Sequence, residues 1–299
     1  MVQRRLPHPA ELRELLRPAP ISLDATQRRL NRAASIADLR TLARRRAPRA
    51  VFDYTDGAAG VGELALRRAR ETFQRLEFHP SVLHDVSKIS TETTILGKPS
   101  TQPFALAPTG FTRIADPDGE LAVARAAQRA GLPYTLSTLS TRSIEEVRAA
   151  STGRLWFQVY AWRDRGLVKE MVDRAATARY EALVLTVDTA VLGRRERDVR
   201  RGFSLPPAIG PSTILDGALH PGWTWAFVRT EPIRFANVVG RHVGDGASPV
   251  TLSDYVNQQF DPGLSWADVD WLRSVWNGPI VLKGIQRVED ARTAADVGV

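Results

Sequence analysis

The hydrophobic pattern changes period partway along the 299 residues. Between Ser35 and Gln74 apolar residues recur at helical spacing among charged ones. Ser35-Ile36-Ala37-Asp38 has capping-box spacing and predicts a short helix ending near Arg46. Pro48 suits the first turn of a second helix over 47–54, before the Asp56-Gly57-Ala58-Ala59-Gly60 breaker. A third helix fits 63–74, and Thr93 to Leu96 before Gly97-Lys98 predicts a strand entering a turn. From Phe104 the pattern becomes short apolar runs without polar alternation, at 104–107, 133–136, 155–160, 182–188 and 279–283. Such runs read as strands buried on both faces. Helices are predicted between them: 119–130, one opened by the Ser143–Glu146 capping box, 165–179, one from the Ser265–Asp268 cap to Trp276, and 288–296. Strands and helices alternating in this way form βαβ units on a parallel sheet.

Three segments follow: a basic arm over 1–34 that wraps loosely, a helical entry segment over 35–103, and an α/β body over 104–299. A long Gly- and Pro-rich connection over 202–263 interrupts the body and holds Trp223, Trp225, Phe227 and Phe235. It reads as a hydrophobic flap on its own domain, with a membrane contact through the tryptophans, Arg229 and Arg234 as the alternative. Five βα units fall short of a closed (β/α)8 TIM barrel, whereas a doubly wound sheet is complete at that number. No strand is followed by Gly-x-Gly-x-x-Gly or a Walker-type loop, so the reading leans toward an incomplete barrel.

Composition narrows the function classes. The formal charge is +8, yet residues 1–50 contain 12 Arg against 4 Asp and Glu, and the remainder carries 29 basic and 29 acidic groups. The body is therefore neutral, and nucleic-acid binding is not expected. The arm is a solvated extension or leans on an anionic membrane or acidic partner. There is no cysteine, which excludes disulfides and Cys-ligated metals, and no metal site is expected. No apolar run is long enough to span a bilayer and no secretory signal is visible, so a cytoplasmic location is expected, with peripheral contact at the inner face of the membrane.

The candidate chemistry lies at the strand ends, where α/β proteins carry their functional side chains. The runs end in turn at Pro108-Thr109-Gly110, Ser137, Gln158 and Tyr160, Thr186 and Asp188, and Lys283. Lys283 is one of only four lysines, and an ammonium at such an end meets either a partner or an anionic ligand. The stretch Ala182–Arg201, a buried strand followed by Thr186, Asp188, Gly193 and paired arginines, reads equally as an anion site or as a turn into a solvated charged loop.

These residues also carry a resemblance. Phe52-Asp53-Tyr54, Ala107-Pro108-Thr109-Gly110-Phe111, Thr135-Leu136-Ser137, Phe157-Gln158-Val159-Tyr160, Leu185 to Thr189 with Leu192-Gly193-Arg194-Arg195, and Val281-Leu282-Lys283-Gly284 resemble the FMN-dependent 2-hydroxy-acid dehydrogenase/oxidase family. That family includes L-lactate dehydrogenases, glycolate oxidase and mandelate dehydrogenase. The likeness runs over nearly all of residues 35–299 and is nearest to the L-lactate dehydrogenases. It implies a TIM barrel with FMN across its carboxyl end, oxidising an L-2-hydroxy acid, L-lactate first, to the 2-oxo acid. Pro108, Thr109, Gly110, Ser137, Gln158 and Thr186 would hold the flavin, and Lys283 would stabilise its reduced form by charge. Tyr54 and Tyr160 would bind or polarise the substrate, and Arg195 would clamp its carboxylate. Asp188 would orient the active-site histidine that removes a substrate proton. The electron acceptor stays open among quinone, cytochrome and oxygen, and a homo-oligomer is expected of the full-length protein.

In that family the histidine lies in a Ser-Asn-His-Gly-Gly-Arg-like segment, beyond the 16 residues that follow Lys283 here. The five histidines present, His8, His79, His84, His220 and His242, all fall in the arm, the entry segment or the long connection. The expectation is a C-terminally truncated family member, inactive by itself. Two alternatives remain open: a non-catalytic binding or interaction fragment, and another TIM-barrel enzyme acting on a carboxylate or phosphorylated substrate.

Overall fold

The computed structural model describes residues 23–191, 193–201, 210–238 and 258–299. Most of the basic arm, His8, Leu192, His242 and the larger part of the 202–263 connection lie outside the described residues. The chain divides into two units, Met1–Arg46 and Ala47–Val299. In the first, the Asp24 carboxylate accepts from Thr26 N at 2.7 Å and opens α1 (Ala25–Leu30), a helix where the sequence reading had only a loose arm. A second helix, α2 (Ile36–Arg46), follows the expected box, with Asp38 Oδ2 accepting from Ser35 N at 3.0 Å.

The second unit opens with α3 (Arg49–Asp56), capped by Pro48 and set two residues later than expected. A 3-10 turn over Val61–Glu63 leads into α4 (Leu64–Gln74). The strand expected at 93–96 is one arm of an antiparallel hairpin, β1 (Thr93–Ile95) with β2 (Lys98–Ser100). Gly97 at φ +72° makes that reversal possible.

The main sheet is parallel and runs β3 (Tyr134–Leu136), β4 (Leu155–Tyr160), β5 (Ala182–Thr186), β6 (Ile280–Lys283). The expected first strand, 104–107, is reduced to one bridge between Leu106 and Tyr134. Pro103 and Pro108 bracket it and lack the N–H groups that would extend the ladder. Strand β5 stops at Thr186 rather than 188, level with the end of its partner β6 at Lys283, whose O accepts from Val187 N at 2.9 Å. The helices between strands are α5 (Gly119–Ala130), α6 (Ile144–Ala150) and α7 (Arg165–Thr177), which ends short of 179. In α6 the Ser143–Glu146 capping box is complete. After β5 come α8 (Glu196–Arg201), α9 (Pro211–Leu219), α10 (Pro221–Val228), α11 (Ala267–Val275) and, after β6, α12 (Val288–Asp296).

Strand order is monotonic, with no reversal among the described strands, whereas a doubly wound sheet needs a switch point where the order turns back. The faces of the sheet differ in the same sense. Leu136, Phe157, Val159, Leu183 and Leu185 pack with Ala124, Ile144, Val147, Leu167, Met171 and Leu272, so α5, α6, α7 and α11 cover a single face. The opposite face carries Trp156, Ala182 and Val184 in a separate small cluster with Ile95 and Val281. Further along that second face, toward the strand carboxyl ends, stand Gln158, Tyr160, Thr186 and Lys283.

Candidate functional site

Period-two alternation places the polar strand ends on one face. In the register Tyr160 pairs with Thr186 and Thr186 with Lys283, so these three stand abreast. Gln158, two residues before Tyr160, points the same way. Its amide is buried and bonded to both neighbouring strands: Nε2 donates to Thr186 Oγ1 at 2.9 Å, while Oε1 accepts from Ser137 Oγ and from Thr138 N, both at 3.2 Å. Thr138 Oγ1 donates to Gln158 O at 2.6 Å. Ser137, Gln158 and Thr186 are therefore one continuous hydrogen-bonded rail across three adjacent strands. Thr138, which the sequence did not single out, fastens that rail to the backbone.

The Pro108-Thr109-Gly110 turn adjoins the rail through Leu139. Leu139 N donates to Ser137 Oγ at 3.1 Å, and Phe111 N donates to Leu139 O at 3.2 Å. A Cβ on Gly110 would stand 3.1 Å from Leu139 O, so the residue type sets how closely the two turns approach. Phe111 holds φ +57° and packs edge-on to Phe235 (4.6 Å between centroids) and Tyr54 (6.3 Å). Backbone strain of this kind concentrates at functional sites.

Tyr160 hydrogen-bonds Gln158 and stacks on Trp162, with Phe260 edge-on at 5.1 Å. Burial pushes its phenol up to about 12, the Asp188 and Tyr54 charges add to this, and the Gln158 bond opposes it. Tyr160 is thus a neutral O–H donor throughout the physiological range. Lys283 Nζ stands 3.8 Å from Asp188 Oδ1, both side chains being more than a third exposed. Gly284 follows at φ +115°, where a Cβ would lie 2.7 Å from Asp188 Cβ and Cγ, so the turn after β6 seats against Asp188.

Arg195 is further engaged than a waiting carboxylate clamp. Its Nε donates to Asp198 Oδ2 at 2.8 Å and its Nη2 to the backbone oxygens of Tyr54 and Gly57. The guanidinium carbon lies 4.9 Å from the Tyr54 ring centroid. Burial raises the Tyr54 phenol, with the Arg195 charge opposing. One third of the Arg195 side chain remains exposed, which leaves an edge for a carboxylate. The stretch after Gly193, for which the sequence left an anion site and a solvated charged loop equally open, is helical in α8. Its signal was charge spacing rather than apolar period, as in the Glu196–Arg200 pair at i, i+4.

Of the three described histidines, His79 and His84 are exposed in the segment after α4. His220 closes α9 with Nδ1 2.7 Å from Asp216 O. No hydrogen bond or ion pair among the described residues joins any of them to the strand ends. No grouping of metal-ligating side chains occurs among the described residues either.

The donor set suits a planar heterocycle with alternating acceptors and donors. Two hydroxyls and an amide lie in a line, a half-exposed ammonium stands at one end, and a glycine turn stands at the other. Such a set can grip the polar edge of a flavin without a metal.

The chain is similar to known FMN-dependent enzymes. The profile of FMN-dependent dehydrogenases matches residues 43–299. A protein of Mycobacterium tuberculosis (strain ATCC 25618 / H37Rv), provisionally named an L-lactate dehydrogenase, is 46% identical over 299 residues, 100% of this chain and 70% of its own length. An L-lactate dehydrogenase of Caulobacter sp. (strain K31) is 40% identical over 266 residues, 89% of this chain and 69% of its own. Among solved structures, the monotopic membrane protein (S)-mandelate dehydrogenase superposes with TM-score 0.85 at 36% identity, covering 90% of this chain and 70% of that one.

Proposed function

The chain belongs to the FMN-dependent dehydrogenase family, and from that premise we propose that it serves the oxidation of an L-2-hydroxy acid, L-lactate first, to the 2-oxo acid. The observation that carries this reading is the buried Ser137–Gln158–Thr186 rail beside Lys283. Bound FMN would supply the two-electron acceptor for the substrate C2.

The chain's own residues do the rest. Ser137, Gln158 and Thr186, with Pro108 to Gly110, would hold the flavin, and Lys283 would supply it with positive charge. Arg195 and Tyr54 take the substrate carboxylate, and the Tyr160 O–H donates to the substrate oxygen. Asp188 orients a proton acceptor. Among the described residues no histidine accompanies Asp188, so we infer that residues 1–299 alone bind cofactor and substrate without turning over. The one-sided, monotonic sheet supports an arc of a (β/α)8 barrel as the architecture.

The test is direct. Residues 1–299 are expected to bind FMN and to leave a dye unreduced with L-lactate. Dye reduction at a rate typical of flavin dehydrogenases overturns the second inference, and absence of flavin binding overturns the first.

Peripheral membrane contact is proposed for the α9–α10 hairpin. Trp223 is anchored, its Nε1 donating to Ile114 O at 2.7 Å, while Leu219, Trp225 and Val228 are 67%, 60% and 71% exposed. Arg229 stacks on Trp225 at 4.0 Å, an interfacial pairing of ring and cation. Among the described residues no helix is long and apolar enough to cross a membrane. Sedimentation with anionic vesicles is expected to carry the protein down, and Trp225→Ser with Leu219→Ser to release it.

A further inference from the structure

A cluster of charged side chains joins α3 to α8, away from the strand ends. Arg197 stands at its centre. Its Nη1 lies 2.9 Å from Asp56 Oδ2 and 3.6 Å from Asp53 Oδ1, and its Nη2 lies 2.5 Å from Glu63 Oε2. Arg201 Nε adds a second bond to Asp53 Oδ2 at 2.8 Å. The acidic side chains are well sheltered, at 9% exposure for Asp56 and 16% for Glu63, so solvent screens these pairs less than ordinary surface ones.

The holds on helix α8 among the described residues are polar. It is six residues long with none buried, and a helix of that length has neither the cooperativity nor the apolar face to fix itself. What attaches it are the arginine pairs, the Arg195 bonds to Asp198 and to the Tyr54 and Gly57 carbonyls, and two amide donors: Gly60 N donates to Arg194 O at 2.9 Å, and Gly62 N to Glu196 Oε2 at 3.4 Å. The loop on the α3 side is itself tensioned. Glu63 carries a side chain at φ +57°, and its Oε1 accepts from Ala58 N at 3.1 Å while Oε2 meets Arg197. The hydrogen bond from Arg197 holds the Glu63 carboxyl below the usual carboxylate range, against the effect of burial.

The residue immediately before α8 is Arg195, whose guanidinium sits over Tyr54 on α3. We infer that Arg197 is a positioning residue. Through Asp56 and Glu63 it clasps the start of α8 to α3 and thereby fixes the Arg195–Tyr54 geometry that receives the substrate carboxylate. The inference rests on the reading of Arg195 and Tyr54 given above. Arg197 itself faces the acidic cluster, and its effect passes through Arg195.

The test uses the full chain and the variants Arg197→Met and Arg197→Lys. Hydrogen exchange by NMR is read at the Gly60 amide and the Arg195 Nε–H, and oxalate and FMN affinities are read by calorimetry. With Arg197→Met, exchange at both probes is expected to speed up by about tenfold while the β4 and β5 amides stay unchanged. Oxalate affinity should fall about fivefold with FMN affinity held, and Arg197→Lys, keeping one point charge, should lie between. Unchanged exchange at Gly60 and Arg195 overturns the inference. So does a uniform acceleration that includes β4 and β5 with a parallel loss of FMN affinity, since that is general destabilisation. If the parent chain binds no oxalate yet the two probes respond, the clasp stands and the carboxylate reading of Arg195 and Tyr54 fails.

Discussion

The Arg195 guanidinium lies over the Tyr54 ring, 4.9 Å from its centroid, and is tethered from below by Asp198 at 2.8 Å. Two residues 141 positions apart thus form one amphipathic plate, cationic on one side and phenolic on the other. Only arginine satisfies this geometry, because the planar fork bonds and stacks at once, while a lysine offers a point charge.

Arg195→Lys therefore keeps the charge and loses the plate. Affinity for a 2-hydroxy acid is expected to fall about tenfold to a hundredfold, the worth of charge-assisted hydrogen bonds, with thermal unfolding little changed. Calorimetric titration with L-lactate or oxalate checks it, and an unchanged affinity would remove Arg195 from the site.

Gln158 is the least replaceable residue of the rail. Gln158→Leu matches it roughly in volume but strands the Ser137 and Thr186 hydroxyls and the Thr138 amide in a buried layer. The expected cost is about 2–5 kcal/mol in urea unfolding, together with loss of flavin binding. A variant that unfolds at the same urea concentration would show that water replaces the amide.

Gly284→Ala tests the seat of Asp188. The φ of +115° disfavours any side chain, and the new Cβ would meet Asp188 Cβ and Cγ at 2.7 Å. About 1–3 kcal/mol of destabilisation is expected, with Asp188 displaced from Lys283. The displacement is read as chemical-shift changes at the Asp188 amide by NMR, which Gly284→Ala should produce and Gly278→Ala, remote from this pair, should not.

Acid sensitivity is expected from Glu145. Its carboxylate accepts two bonds from Arg174, both at 2.8 Å, and that partner chiefly holds it at about 2, against 4.5 when free. A depressed folded value gives stability that is present above 4.5 and is lost as pH falls from there toward 2. Glu145→Gln cannot titrate, so the Tm gap between parent and variant should be open at neutral pH and close through that window. With the side chain 53% exposed, the gap should be small, and a gap independent of pH would contradict the assignment.

Much of the fold is legible in the chain because its signals are local. The capping boxes at Ser143 and Ser35 and the apolar runs at 155–160 and 182–186 each depend on neighbours a few residues away. The candidate residues Ser137, Gln158, Thr186 and Lys283 were visible for the same reason, since each ends such a run. Less legible were α8, α9 and α10, which have no clear two-faced apolar period, and the 104–107 run, whose prolines outweigh its hydrophobicity.

The sequence by itself determined the strands of the main sheet, most of the helices and the polar residue type at each strand end, because period and capping are properties of consecutive residues. Only the tertiary structure decided that those ends form one hydrogen-bonded rail, since Ser137, Gln158 and Thr186 come from three strands whose register is set by packing on the helix-covered face. It also decided that the arginines after Gly193 are not a solvated loop. Their partners Asp53, Asp56 and Glu63 lie more than a hundred residues earlier, and only the folded chain brings opposite charges that far apart in sequence within reach of one another.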